Sequence, residues 1–285
     1  RSATQRMNLT RLTASGAHRF KLSALASFAA VKPFIKAGWQ GARALGERTL
    51  DLIWPAHSLL SRNYVAHAGH IEPELWSSLV FLTEPCCAIC GFPFEADQGP
   101  DALCLACEAR KPDFDRARAA LAYDDVSRKL VLDLKHGGRR DGLPTFAAWL
   151  SVAAPFAATA DLILPTPLHY TRLIRRGHNQ AAWLAQSLAK RVGRAWRPDV
   201  LIRSRKTPSQ GGLSAAGRAR NVHGAFRVKA DYKGLILGNN VLLVDDVFTT
   251  GATIEACARA LKRAGAARVD VVCLTRVVRP KATPI

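Results

Sequence analysis

The sharpest change from apolar to polar along this chain follows Val241-Leu242-Leu243-Val244, an unbroken apolar run that meets two acids at once, Asp245 and Asp246. Such a run predicts a strand buried on both faces of a parallel sheet. The two carboxylates then fall where that strand ends, which is where open α/β sheets take their ligands. Next comes a small, hydroxyl-rich turn, Thr249-Thr250-Gly251-Ala252-Thr253, and the pattern from Ile254 to Arg263 predicts a helix. A second strand is expected at Leu162-Ile163-Leu164, closed by the proline-bracketed loop Pro165-Thr166-Pro167-Leu168 and followed by a helix running to about Val192. Tyr123-Asp124-Asp125 precedes an amphipathic segment ending at Leu134-Lys135-His136-Gly137-Gly138. Nearer the start, a helix from Gly41 to Ile53 is expected to stop at Pro55. Nowhere is there an apolar run of about eighteen residues, the length a membrane helix needs. The longest approach to one, Phe146 to Pro165, is broken by Pro155 and Asp161.

The turn after the two acids has a chemical use. Free backbone N–H groups and the dipole at a helix start both favour an anion, and Thr249, Thr250 and Thr253 add hydroxyls. Carboxylates suited to sugar hydroxyls beside a phosphate cup describe a site for a phosphorylated ribose. An apolar strand ending in Asp-Asp also occurs in metal-binding receiver domains, and Gly251 alone is ordinary turn punctuation. The Thr-Thr-Gly-Ala-Thr sequence separates these readings, because a receiver needs no phosphate cup there. Two acid-free stretches add cations. The first carries Arg172, Arg175, Arg176, Gly177, His178, Asn179 and Gln180 after the proline loop, with guanidinium forks suited to a diphosphate. The second, Arg203 to Lys229, holds seven cationic residues around Gln210, Gly211, Arg218, Arg220 and Asn221, and reads as a lid that closes on anions. Lys135 is read equally as facing a bound phosphate or as a solvated helix end.

Charge widens this picture. The 285 residues carry a formal net charge of +19 and a pI near 10.3, which implies polyanionic ligands, nucleic acid or both. From Arg1 to Gly46 there are eight Lys or Arg and no acid. That composition imitates an organellar transit peptide; the single methionine, Met7, suggests instead a poorly ordered extension or an upstream mis-start.

Seven cysteines include two CxxC pairs, Cys87-Ala88-Ile89-Cys90 and Cys104-Leu105-Ala106-Cys107, separated by thirteen residues with Gly91, Pro93, Gly99 and Pro100 among them. Two knuckles joined by a turn-rich loop predict a structural Zn²⁺ site in a reducing compartment, the cytoplasm, rather than a disulfide framework. A thioredoxin-like redox use is the competing reading, weakened by the second pair and by the lack of a surrounding βαβ pattern. Cys257 and Cys273 read as small buried hydrophobes. Upstream, Trp54-Pro55-Ala56-His57-Ser58-Leu59-Leu60-Ser61 has knuckle spacing with serines where thiols would sit, and Glu72-Pro73-Glu74-Leu75-Trp76 has no cysteine. Serine is a poor zinc ligand, and His57, His67 and His70 have no cysteine partner, so no metal is expected in this half.

With these residues assembled, the chain resembles the ComF family of competence-related, phosphoribosyltransferase-like proteins over roughly Asp51 to Val278. The carrying motifs are the four-cysteine ribbon, Leu134-Lys135-His136-Gly137, Pro165-Thr166-Pro167-Leu168, Arg176-Gly177-His178-Asn179-Gln180, Thr207-Pro208-Ser209-Gln210 with Arg220-Asn221, and the segment 241–253, which resembles the PRPP-binding motif of type I phosphoribosyltransferases. Members with a double zinc ribbon carry four more cysteines where this chain has Ser58, Ser61, Glu72 and Leu75. Thr166 stands where an aliphatic residue is usual, and His178 where an aromatic is common.

The resemblance implies an α/β, type I phosphoribosyltransferase fold, a parallel sheet of about five strands flanked by helices, preceded by a small zinc-ribbon module. Residues 1–46 would be the basic extension and the start of a helix, 47–115 a double ribbon whose first half lacks cysteines, and 116–280 the transferase domain. Asp245 and Asp246 would serve the ribose hydroxyls, directly or through Mg²⁺. Thr249 to Thr253 would hold the 5′-phosphate. Pro165 to Leu168, with Arg176 and Lys135, would take the pyrophosphate, and Gln210 to Asn221 would close as a lid. The function implied is transfer of a phosphoribosyl group from PRPP to a nitrogen nucleophile, linked to DNA uptake. The alternatives are a non-catalytic single-stranded-DNA-binding competence factor, with DNA-uptake proteins as partners, and a PRPP sensor using the same pocket.

Overall fold

Asn240–Phe248 and Arg268–Arg276 are the longest strands of the structure, a computed structural model that describes residues 56–61, 63–204 and 224–278. The expected helix at Gly41–Ile53, the basic extension, and the lid residues Gln210, Gly211, Arg218, Arg220 and Asn221 lie outside the described residues. In chain order the strands are β1 (Arg116–Ala122), β2 (Leu162–Pro165), β3 (Ala195–Trp196), β4 (Leu201–Arg203), β5 (Phe226–Val228), β6 (Asn240–Phe248) and β7 (Arg268–Arg276). Five of them form one parallel sheet in the order β1-β7-β6-β2-β3, while β4 and β5 pair antiparallel as a separate ribbon.

The apolar run of β6 is buried on both sides because its side chains alternate between two cores. Val241 and Leu243 join Val269, Val271 and Cys273 of β7 against the helix Ala252–Arg263, through Ile254, Cys257, Ala258 and Leu261. Leu242 and Val244 join Val272 and Leu274 against the helices Leu143–Ala153 and Gln180–Val192, through Leu150, Leu184 and Leu188. Each such side chain taken out of water contributes about 1.5–3 kcal/mol before entropy is counted. Both faces are therefore saturated with apolar contact, and the polar residues of β6 are displaced to its end.

The strand order also locates the crevice. From β6 the chain crosses through the helix Ala252–Arg263 to its neighbour β7; from β2 it crosses through the helix Gln180–Val192 to its neighbour β3 on the opposite side. Connections thus diverge between β6 and β2, and this switch point is where doubly wound sheets open for a ligand. Register sets the two rims level there, with Pro165 beside Val244 and the Thr166 N–H donating to the Val244 carbonyl at 2.9 Å.

The free edge of β1 is covered by the segment that carries the cysteines, so the sheet presents no bare edge on that side. Phe81 bridges Leu121 in antiparallel fashion, Leu82 N–H donates to Ala120 O at 2.9 Å, and Ala117 N–H donates to Ile89 O at 2.7 Å. Gly91 permits that approach. Its φ is +68°, and a Cβ added there would lie 2.6 Å from the Ala117 carbonyl oxygen. The upstream half, around Ser58 to Leu75, docks through Leu59 and Leu60 into the core beneath Phe146, tied by Lys129 Nζ to Leu60 O at 3.0 Å and by Arg139 to Ser58 O at 3.1 Å.

Candidate functional site

The strand β6 does not stop at the acids; it runs on to Phe248, so Asp245 and Asp246 lie within its last turn of pleat and point to opposite faces of the sheet. This refines the expectation of two carboxylates side by side at a strand end. Asp246 is buried, 6% exposed, on the side of the helix Gln180–Val192. Its carboxylate receives Lys135 Nζ at 3.0 Å and Gln180 Nε2 at 3.1 Å, and its carbonyl accepts from Thr275 Oγ1 at 3.1 Å. Asp245 faces the Cys257 and Cys273 side, where its charge helps push both thiols well above their ordinary range after burial has done most of that work. Burial pushes the Asp245 carboxyl up to about 7; the Asp246 charge adds to the push, and a hydrogen bond from Thr166 opposes it.

Lys135 is thus neither a solvated end nor free to wander. The helix Asp125–Leu132, started by a reciprocal cap between Asp124 and Ser127, widens into a π-helical turn at Asp133–Gly137 and ends at Gly138 with φ +62°. That widening turns Lys135 toward β6, and such bulges recur where a side chain must be aimed. His178 holds the turn in place. Its Nε2 donates to Leu134 O at 2.9 Å, and its ring stacks on Trp183 with centroids 4.1 Å apart and planes 9° from parallel.

Gln180, to which the sequence alone assigns no role, is the hub. It is 4% exposed and takes Arg176 Nη1 on Oε1 at 3.5 Å while donating to Asp246 through Nε2. The residue before it, Asn179, caps the helix by accepting from Ala181 N–H at 3.1 Å and donates to the Thr166 carbonyl at 3.0 Å. Asparagine at an N-cap was the available signal, because it fixes the next side chain at the mouth of the helix. Pro165, Thr166 and Pro167 are buried and Leu168 half-buried, so this rim is stiff. Arg176 Nε is buried without a hydrogen-bond partner among the described residues, as expected of a guanidinium with donor capacity to spare.

The cup follows directly from β6. Thr249 and Thr250 are exposed, and Gly251 is buried at φ +76°, where a Cβ would come 3.0 Å from the Phe248 ring. The helix Ala252–Arg263 then begins, with Glu255 N–H donating to Gly251 O at 2.8 Å. A helix start of this kind favours an anion through its first N–H groups and its dipole.

The sulfurs of Cys87, Cys90, Cys104 and Cys107 all lie within 4.8 Å of one another, with Cys90 and Cys104 at 3.6 Å, and they could hold a metal ion. Burial pushes Cys90 up to about 11 and Cys107 higher still, adjacent sulfurs adding to it. At Cys87 burial is outweighed by the backbone N–H groups of Cys90, Cys104 and Ile89, which bring the thiol down to about 7. Ser58, Ser61 and Glu72 converge in the upstream half, where both serine hydroxyls donate to the Glu72 carboxylate. The expected fourth position of that half, Leu75, packs against the apolar core instead. Among the described residues no helix is long and apolar enough to cross a membrane.

A five-stranded parallel sheet with an acid pair and an anion cup at its switch point defines the type I phosphoribosyltransferase fold, here with a cysteine module on its edge. A sequence model described as "Phosphoribosyl transferase domain" matches residues 140–283. The chain is 35% identical over 198 residues to "DNA utilization protein YhgH" of Salmonella typhimurium, covering 67% of this chain and 84% of that one. It is 35% identical over 116 residues to "Competence protein F" of Haemophilus influenzae (41% and 50% covered) and 27% identical over 213 residues to "Competence protein ComFC" of Bacillus subtilis (70% and 81% covered). The chain belongs to the ComF family.

Proposed function

We propose that this protein binds PRPP with Mg²⁺ and transfers its phosphoribosyl group to a nitrogen nucleophile, in the service of DNA utilisation. The observation that carries the reading is the continuity of Asp245, Asp246 and the Thr249–Thr253 cup along one strand and turn, opposite the rigid Pro165–Leu168 rim. The donor set suits a divalent cation, since the Asp245 carboxyl is held up by burial and by Asp246 and a cation would relieve both. Mg²⁺ would neutralise the pyrophosphate as it departs. The cup N–H groups and threonine hydroxyls hold the 5′-phosphate. Asp245 accepts from the ribose hydroxyls and stabilises positive charge growing at the anomeric carbon. Asp246, locked by Lys135 and Gln180, fixes the far side of the strand, while Arg176 offers its free donor to the leaving pyrophosphate. The C–O bond to pyrophosphate breaks, the nitrogen lone pair forms the new C–N bond, and no covalent enzyme intermediate is required.

The four sulfurs suit Zn²⁺ on spacing, because a tetrahedron with Zn–S of about 2.3 Å has edges of about 3.8 Å. We assign it a structural role. The test is calorimetry of PRPP with Mg²⁺ together with pyrophosphate release across a panel of bases and amines. Binding lost in Asp245→Asn and release with one acceptor class are expected; no PRPP binding by the wild type, or undiminished binding by the variant, overturns the reading.

The net charge of +19 and the relatives' names favour one second reading, in which the same crevice serves a single-stranded-DNA-binding factor without turnover. Binding to the phosphate backbone then weakens steeply with salt. PRPP bound without pyrophosphate release from any acceptor would favour this reading or a sensor. A flat salt dependence would remove the DNA reading.

A further inference from the structure

We propose that Arg276 is a positioning residue that braces the phosphate cup against the cysteine cluster, so that the cup keeps its binding geometry only while the cluster holds its cation. The inference rests on the reading above for both the cup and the cation. Arg276 ends β7 and is only 7% exposed. Its Nη1 donates to the Cys90 carbonyl at 2.6 Å and its Nη2 reaches the Cys90 sulfur at 3.5 Å. Its guanidinium also lies 4.4 Å from the centroid of Phe248 and 5.6 Å from that of Phe92. Among the described residues, the side-chain hydrogen bonds of this buried cation all go to the first knuckle, and none goes to a carboxylate. A tetrathiolate holding a divalent cation is net anionic, which is the counter-charge a buried guanidinium requires.

The other end of the contact is the cup itself. Phe248 is the last residue of β6, its ring lies under Gly251, and its carbonyl accepts from Val277 N–H at 2.9 Å. Phe114, just beyond the second knuckle, meets the same ring edge-on with centroids 6.1 Å apart. Arg110 reaches Glu255 in the first turn of the cup's helix at 2.6 Å, but its side chain is 62% exposed, so solvent screens that pair and the buried route through Arg276 dominates. If the knuckles open, Arg276 loses its counter-charge and Phe248 loses the face that holds it beneath Gly251. The turn at Gly251 then loses the ring it rests on.

The experiment is hydrogen–deuterium exchange of the full chain, read at three places: the knuckles (86–91 and 103–108), the cup (247–256) and, as a control, the helix Gln180–Val192. Stripping the metal with a chelator should speed exchange at the knuckles and, about tenfold, at the cup, while the control helix is unchanged. Arg276→Lys with the metal retained should speed exchange at the cup alone, since lysine keeps the charge but neither the fork nor the stacking. In the same samples PRPP affinity should fall about tenfold, an ordinary magnitude for coupling between sites. A cup that exchanges equally with and without metal while the knuckles open overturns the proposal. Uniform loss of protection across the sheet also overturns it, because the cluster would then be a global staple rather than a local brace. The exchange arm needs no ligand. Failure of metal-loaded wild type to bind PRPP therefore counts against the proposed function and leaves the brace to be decided by exchange.

Discussion

Replacing Asp245 by asparagine should stabilise the ligand-free protein at high pH while abolishing PRPP binding. The structure supplies the sign. The Asp245 carboxyl is raised from an ordinary value of 3.8 to about 7, by burial first and the Asp246 charge second. The folded state thus keeps a proton that the unfolded chain gives up, and stability falls as pH rises from about 4 through 7. The difference is about three pKa units, and at 1.36 kcal/mol per unit full ionisation costs about 4 kcal/mol as a ceiling. At pH 5 the folded group is still mostly protonated and only about 1.6 kcal/mol of that has accrued. Asparagine has no such dependence, and its Oδ1 can still accept the Asp246 N–H that Asp245 accepts at 2.9 Å. Between pH 5 and pH 8 the stability of the variant relative to wild type should therefore rise by up to about 3 kcal/mol, or 1–2 kcal/mol once Lys135 and residual solvent share the field.

Urea unfolding of both proteins at pH 5, 6, 7 and 8, without Mg²⁺ or ligand, measures this difference. Comparing slopes with pH removes any constant effect of the substitution and cancels the titrating groups that do not interact with Asp245. A variant whose relative stability stays flat within about 0.5 kcal/mol, or declines toward pH 8, would refute the claim that burial and the Asp246 charge hold the Asp245 proton on. The stabilised variant should bind no PRPP at pH 8, the trade expected where a site stores electrostatic strain for a cation it awaits.

Two other substitutions test the frame around that acid. Lys135→Met removes the ammonium that faces Asp246 at 3.0 Å and leaves it the hydrogen bond from Gln180; with the Lys135 side chain 23% exposed, a loss of about 1–3 kcal/mol in urea unfolding is expected. Pairing it with Asp246→Asn should recover much of that loss in a double-mutant cycle, and strict additivity would count against the pair. Gly91→Ala should cost about 2–5 kcal/mol in thermal or urea unfolding, because the new methyl meets the Ala117 carbonyl at 2.6 Å on a backbone already at φ +68°. A loss under about 0.5 kcal/mol would mean that the knuckle does not sit against β1 in solution.

How much of this was legible in the sequence follows from what each signal depends on. Leu162–Leu164 and Val241–Val244 read as central strands because burial on both faces leaves no polar position to blur the run. The cysteine cluster was readable because coordination geometry fixes the spacing of its ligands along the chain. Strand β1 was not singled out: Arg116 and Arg118 interrupt its apolar residues, and its edge is buried only because a distant segment covers it. The alternation that sends Asp245 and Asp246 to opposite faces was present in Asp245-Asp246-Val247-Phe248, which continues the strand's period of two. The clasp of Lys135, His178 and Gln180 was hidden for a different reason. It joins a π-helical turn to a helix mouth more than forty positions away, as Leu134 and His178 show, and no local pattern announces such a pairing.

The two halves of the edge module solve one problem with different chemistry, and chelation should separate them. In the second half a cation held by the four sulfurs would join them, and coordination in small zinc modules is worth on the order of 10 kcal/mol of folding energy. Without it, the knuckles keep their backbone N–H contacts and the apolar packing around Cys87, Cys90 and Cys107 but lose the tie that would join all four sulfurs. In the first half Ser58 and Ser61 donate to Glu72, whose carboxyl is held down to about 2 chiefly by those two hydroxyls. Leu59, Leu60 and Leu75 add burial under Phe146. A chelator at neutral pH should therefore open residues 86–108 and leave 56–76 protected. Acid reverses the pattern, because a depressed carboxyl stabilises above its unfolded value of 4.5 and loses that contribution as pH falls toward 2. Exchange measured at pH 7 with chelator should thus expose the second half alone. Glu72→Gln, which keeps the shape but not the charge, should loosen the first half without altering metal content. If chelation opened both halves together, the serine–glutamate clasp would not be an independent staple, and the upstream half would depend on its neighbour rather than on its own hydrogen bonds.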